Sequence, residues 1–151
     1  MTYRSTKTYG HEIGLSCAFR QWRAKSHCRF IHGYALAVRV EFEADTLDER
    51  NWVIDFGDLK AFKQILEDTF DHKLVVATDD PEVETLHFLH INGLAQVMYL
   101  DAVGCEAFAE YIFKRAEAWL ATTGESWRVR VASVEVKEHG ANSAIFTGSV
   151  A

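Results

Sequence analysis

No apolar run in this chain approaches the roughly 20 residues that a helix needs to cross a bilayer, and no run of Lys and Arg is longer than two. The first leaves no candidate membrane span. The second, with a formal net charge of −6, argues against a general nucleic-acid binder, whose affinity comes largely from phosphate neutralisation. A small phosphorylated ligand remains open, because a few well-placed cations hold one, and Arg20, Arg23, Lys25 and Arg29 lie close in sequence. Cysteine is scarce and odd in number, at Cys17, Cys28 and Cys105. Residues 1–10 are polar and lack the apolar segment of a secretory leader. The expectation is therefore reduced thiols in the cytoplasm rather than a disulfide framework. Linkers and internal repeats are also missing, so the 151 residues are read as one domain, 1–151, with room for a core.

What is present is patterned. Ile13, Leu15, Cys17 and Phe19 alternate with polar or small residues, the period of a strand. A stronger alternation sets Tyr34, Leu36, Val38, Val40 and Phe42 against Ala35, Ala37, Arg39, Glu41 and Glu43. Residues 21–30 between them are polar and basic and read as a loop. Leu59, Phe62, Leu66 and Phe70 recur at helical spacing. Asp79-Asp80-Pro81 looks like a helix start, and Asn92-Gly93 like its end. Residues 96–100 read as a brief strand. A second long helix runs from about Cys105 to Ala121 and stops at Gly124. Alternation returns over residues 127–138, and 143–148 supply a last strand after the His139-Gly140 turn. The order predicts an α+β domain with helices over one sheet face. The other sheet face reads as partly apolar, which suggests burial between subunits.

Several residues carry possible chemistry. His27, Cys28, His32 and Tyr34 cluster where the basic loop enters a strand, and positions 32 and 34 share a face. A cysteine beside histidines and cations is a candidate acid–base or nucleophilic group; a small loop residue and a structural histidine are the plainer reading. Asp71-His72 pairs a carboxylate with an imidazole, an arrangement suited to proton transfer near neutral pH, although such pairs also decorate helix ends. Glu138, if it points inward with Val134 and Val136, needs a cationic or amide-rich partner; an exposed strand end is the alternative. His87 and His90 are three apart on a helix and read as surface residues.

In order and spacing, five segments resemble the 6-pyruvoyl/6-carboxytetrahydropterin synthase family over nearly the whole chain. They are residues 26–34 (SHCRFIHGY), 53–60 (VIDFGDLK), 70–72 (FDH), 104–109 (GCEAFA) and 134–138 (VEVKE). The resemblance implies a tunnelling fold: a four-stranded antiparallel sheet with two helices between the second and third strands. It implies a homo-oligomer, commonly a hexamer of two stacked trimers, with active sites between subunits. The implied substrate is 7,8-dihydroneopterin triphosphate, which loses its triphosphate while protons move on the side chain. By position, Cys28 falls on the family's catalytic cysteine and Asp71 and His72 on its proton relay. Glu138, with Glu106, falls on the substrate-binding carboxylates.

The chain departs from that pattern at the family's zinc. Its three histidine ligands correspond here to Phe19, His32 and Tyr34, so only His32 remains, whereas a catalytic zinc takes about three protein ligands and an open position. Cys17 and His27 are the nearby candidates to replace the missing ligands. The leading expectation is a 6-carboxytetrahydropterin synthase-like lyase of deazapurine (queuosine-type) or pterin synthesis. The alternatives are a non-catalytic pterin-binding homologue and a metal-independent chemistry on a related pterin.

Overall fold

The long alternating segment becomes the organising strand, because one of its faces is apolar enough to bury and both edges find partners. This strand, β3 (His32–Ala44), buries Leu36, Val38, Val40 and Phe42. On one edge it pairs antiparallel with β2 (Leu15–Phe19) through residues 32–36, then with β1 (Tyr3–Tyr9) through residues 38–44. On the other edge lies β6 (Val129–His139), antiparallel, followed by β7 (Asn142–Thr147). Beyond β2, β4 (Lys73–Ala77) and β5 (Gln96–Leu100) add in parallel. The computed structural model describes residues 1–148; residues 149–151 of the expected single domain lie outside the described residues.

The α+β class holds, but the expected four-stranded antiparallel sheet is corrected to a seven-stranded mixed one in the order β5-β4-β2-β3-β6-β7, with β1 on β3. Two strands escaped the sequence reading for different reasons. β1 is polar at most positions, and it is held by its ladder to β3 rather than by an apolar face. β4 is a five-residue run, mostly buried, and short apolar runs carry no period that separates strand from helix. It leads through α2 (Val83–Ile91) into β5, because parallel neighbours need a crossover connection.

Two longer helices cover the apolar face. α1 (Lys60–Phe70) contributes Phe62, Leu66 and Phe70, and α3 (Cys105–Thr122) contributes Phe108, Ile112, Ala116 and Trp119, all buried. Phe108 lies edge-on to Phe19 at 5.2 Å and to Phe70 at 5.1 Å. Burying each such ring contributes about 1.5–3 kcal/mol. The opposite face is largely charged, with Ile145 on β7 exposed on it opposite Glu135. Glu43 takes Arg4 at 2.6 Å and Arg130 at 2.5 Å, while Glu41 takes Arg4 at 3.0 Å and Arg39 at 3.2 Å. Alternation sends these residues away from Val38, Val40 and Phe42, and the small Ala35 and Ala37 sit among them.

Candidate active site

The register of β2 against β3 sets Phe19 opposite His32 and Cys17 opposite Tyr34. Gly33, between His32 and Tyr34, stands opposite Ala18 where the strands approach closely. A Cβ on Gly33 would lie 2.6 Å from the Cys17 carbonyl oxygen, so any side chain would push β2 off its partner. Phe19 is 1% exposed, and its ring packs 5.1 Å from His32 and 6.2 Å from Tyr34. His32 and Tyr34 meet edge-on at 5.5 Å. His32 Nδ1 lies 2.7 Å from the Phe30 carbonyl; a carbonyl only accepts, so Nδ1 is the donor.

This arrangement does not fit a zinc ion at the family's position. Its three ligand places hold one imidazole inside an aromatic cluster, and the Phe19 ring has no donor atom to offer. Cys17, a candidate replacement, is buried, and burial pushes its thiol up to about 12, which opposes the thiolate that a metal requires. His27, the other candidate, is exposed on the loop. Among the described residues, no three His, Cys, Asp or Glu side chains converge on a common point suited to a metal.

A different group of side chains does converge. The Cys105 thiol, at the start of α3, sits beside the Glu138 carboxylate near the end of β6. Burial first, then the charges of Glu138 and Glu106, push this thiol up to about 12. Burial and then the Glu138 charge also raise the Tyr34 phenol above its ordinary value, with lesser contributions from Cys28 and Cys105. Both groups thus stay protonated near one carboxylate, and the Cys28 sulfur lies within electrostatic reach of Tyr34. Glu138 is half-buried, where the ladder between β6 and β7 shifts register between Lys137 and His139, and the His139 ring lies 6.1 Å from Tyr34. Glu106 is exposed in the first turn of α3.

Cys28 lies on a short 3-10 turn, His27–Arg29, whose start is capped by the Ser26 hydroxyl accepting the Cys28 N–H. Asp71 and His72 lie elsewhere, at the end of α1. His72 Nδ1 is 2.8 Å from Asp71 Oδ1, and the imidazole is largely exposed. The His72 N–H donates to Ser16 O at 2.7 Å, and the Ser16 N–H reaches Asp71 Oδ1 at 3.4 Å. His72 has φ of 56°, a conformation uncommon outside glycine. Among the described residues, no hydrogen bond or ion pair joins this pair to Cys28. They lie toward opposite ends of β2, one beside Ser16 and the other beyond Phe19.

His87 and His90 are exposed, as expected. The His87 ring meets the Tyr99 hydroxyl, and His90 Nδ1 accepts the Val97 N–H at 3.2 Å, which ties α2 to β5. The sequence reading missed what Cys105 and Asp80 do. Cys105 read as a helix start and a reduced thiol, with nothing in sequence to link it to Glu138, 33 positions later. Asp80 read as a helix start, whereas its carboxylate is 3% exposed and paired to Arg20. A bond spanning 60 positions leaves no local signal.

Residues 10–149 match the sequence profile of the 6-pyruvoyl tetrahydropterin synthase family. A 6-carboxy-5,6,7,8-tetrahydropterin synthase of Rickettsia typhi is 35% identical over 60 residues, 39% of this chain and 44% of that protein. The chain therefore matches less than half the length of that relative. The enzyme of the same name from Aquifex aeolicus is 24% identical over 95% of this chain and 97% of its own. Among solved structures, an uncharacterized protein of Wolinella succinogenes superimposes with a TM-score of 0.81 at 22% identity, covering 99% of both chains. At that identity the likeness shows a shared fold.

Proposed function

This chain belongs to the 6-pyruvoyl tetrahydropterin synthase family, and on that premise we propose that it is a lyase acting on 7,8-dihydroneopterin triphosphate. The proposed product is a 6-carboxytetrahydropterin, a precursor in deazapurine (queuosine-type) synthesis, made in the cytoplasm, where the protein's three free thiols stay reduced; a water is added, and the outer carbons of the substrate's side chain leave as acetaldehyde beside the triphosphate. The observation that carries the reading is that Glu138 and the Cys28 sulfur both lie close enough to Tyr34 to act on its phenol, where the start of β3 meets the end of β6. The Glu138 carboxylate accepts hydrogen bonds from the amino and ring N–H groups of a pterin, and the protonated Cys105 thiol beside it steadies that carboxylate. Cys28 then stands where it can take a proton from the substrate's side chain. As the C–H bond breaks, its electron pair forms a double bond, and the triphosphate leaves with the electrons of its C–O bond. Proton transfer by a positioned group contributes roughly 10²–10⁴-fold.

Asp71-His72 completes the set as the second proton carrier. Since it stands apart from Cys28 within one chain, we assign it to the site of a neighbouring copy in a homo-oligomer built as a dimer of trimers. The raised φ of His72 supports a functional placement, because such strain persists where the surrounding structure holds it. The aromatic cluster at Phe19, His32 and Tyr34 favours the metal-independent form of this chemistry. In that form the Tyr34 phenol, kept protonated, donates to a side-chain oxygen of the substrate, and no proton step passes through a metal.

The test is triphosphate release from 7,8-dihydroneopterin triphosphate, with metal content measured on the same preparation. Release that survives chelation, and is lost in Cys28→Ala while pterin binding persists, is the expected result. Pterin binding without release in the wild type would leave a non-catalytic binding protein and overturn the reading.

A further inference from the structure

We propose that Asp80, acting through Arg20, is the positioning residue that holds the Cys28 loop, so that the β4–α2 connection is part of the active-site architecture. The proposal rests on the assignment of Cys28 as the proton-transfer group.

Arg20 follows directly on β2 and begins the loop. Its Nε donates to Asp80 Oδ2 at 2.8 Å and its Nη2 to Asp80 Oδ1 at 2.5 Å, a two-pronged pair that fixes the plane of the guanidinium. The third prong, Nη1, donates to the Arg29 carbonyl at 3.4 Å. The carbonyl immediately before it, that of Cys28, accepts the Gln21 N–H at 3.0 Å. The two successive carbonyls that follow the Cys28 side chain are thus both tied to residues 20 and 21. Arg29 folds back over the same turn, with Nη1 at 3.1 Å from Lys25 O and 3.2 Å from Ser26 O.

The outer half of the loop is tied to the same connection. Trp22 Nε1 donates to Asp79 Oδ1 at 3.2 Å, Arg23 Nη1 reaches Asp79 Oδ2 at 3.0 Å, and the Arg23 guanidinium stacks 4.0 Å over Trp22. Gln21 Nε2 adds a third tie, to Val103 O at 2.6 Å, just before α3.

These ties are not equivalent. Asp79 and Arg23 are substantially exposed, whereas the Asp80 side chain is almost fully buried and that of Arg20 largely so. Exposed pairs contribute little, but removing one partner of a buried pair leaves an uncompensated charge. Asp80 also accepts, at 2.8 Å, the N–H of Glu82, the residue that caps α2, so its carboxylate is held at the start of α2 before it meets Arg20. Rigidity passes from α2 to Asp80, to Arg20, and then to the backbone that carries Cys28. A displacement of about 1 Å at a catalytic group lowers rate roughly 10²-fold, so the loop's position matters more to turnover than to substrate affinity.

The experiment combines kinetics with native alkylation of Cys28 by iodoacetamide, read by intact and peptide mass on wild type, Asp80→Asn and Asp80→Glu. Asp80→Asn is expected to lower kcat about tenfold or more with KM within twofold, and to change the alkylation rate of Cys28 at least threefold. Asp80→Glu should restore a large part of both. If Asp80→Asn fails to fold, Arg20→Gln, at the less buried partner, carries the same expectations. Hydrogen exchange localised to residues 20–30 should rise in either variant. Unchanged alkylation, exchange and kcat in folded variants would overturn the proposal. Altered alkylation and exchange in a protein whose wild type releases no triphosphate would support the positioning role and sink only the function reading.

Discussion

Phe19→Ala tests whether the place held by a histidine in the family's ligand set is core in this chain. Phe19 is 1% exposed and touches the rings of Phe108, His32 and Tyr34. Removing a buried Phe down to Ala loses its transfer free energy and leaves a cavity, together about 3–5 kcal/mol, of which each ring–ring contact accounts for roughly 0.5–1.5 kcal/mol. In a domain of this size that corresponds to a fall of roughly 8–16 °C in Tm. Urea unfolding at fixed protein concentration, followed by tryptophan fluorescence, gives the difference directly. The same loss should appear with and without a zinc chelator, because the wild type derives its order there from ring packing. A loss below about 1.5 kcal/mol would refute this, and so would a wild type that chelation destabilises as strongly as the substitution. Phe19→His offers the converse measurement. It buries an unpaired imidazole, costing about 1–3 kcal/mol more.

Acid sensitivity follows from two carboxylates. Asp80 is held below the usual range by its hydrogen bonds to Arg20, and Glu43 by Arg4 and then Arg130. A depressed folded value means stability that is present above the unfolded value, about 4, and lost as pH falls toward the folded one. The urea midpoint should drop between about pH 5 and pH 3, and less steeply in Asp80→Asn; equal slopes would remove Asp80 from the account. Gly33→Ala should cost about 1–3 kcal/mol by overpacking, since its Cβ would meet the Cys17 carbonyl at 2.6 Å; a neutral effect in urea unfolding would show that β2 and β3 pair more loosely. In native protein at pH 8, iodoacetamide should modify Cys28 alone. Cys17 and Cys105 are buried with thiols near 12, so only about one molecule in ten thousand is thiolate there. Modification of all three at similar rates would refute that placement.

The main elements were legible because their periods are strong. The alternation from Tyr34 to Phe42 became β3, and the helical recurrence of Leu59, Phe62, Leu66 and Phe70 became the buried side of α1 and the turn before it. The strands missed were those whose stability is not local. β1 is polar and depends on its ladder to β3, and β4 is too short for its apolar run to show a period. The ion pairs of the outer sheet face had no signal in sequence, because those around Glu41 and Glu43 join strands distant along the chain.

The sequence by itself determined the family resemblance, the class of the fold, and the candidate residues Cys28, Asp71, His72, Glu106 and Glu138, because each lies in a short segment whose order and spacing can be read along the chain. It also showed that Phe19 and Tyr34 stand where ligands were expected. Only the tertiary structure decided that these two rings pack with His32, that Cys105 lies against Glu138, and that Asp80 reaches Arg20. Apart from Tyr34 and His32, neighbours on one strand face, those are contacts between residues distant along the chain, made by strand register and helix docking, and no local pattern of side chains encodes them.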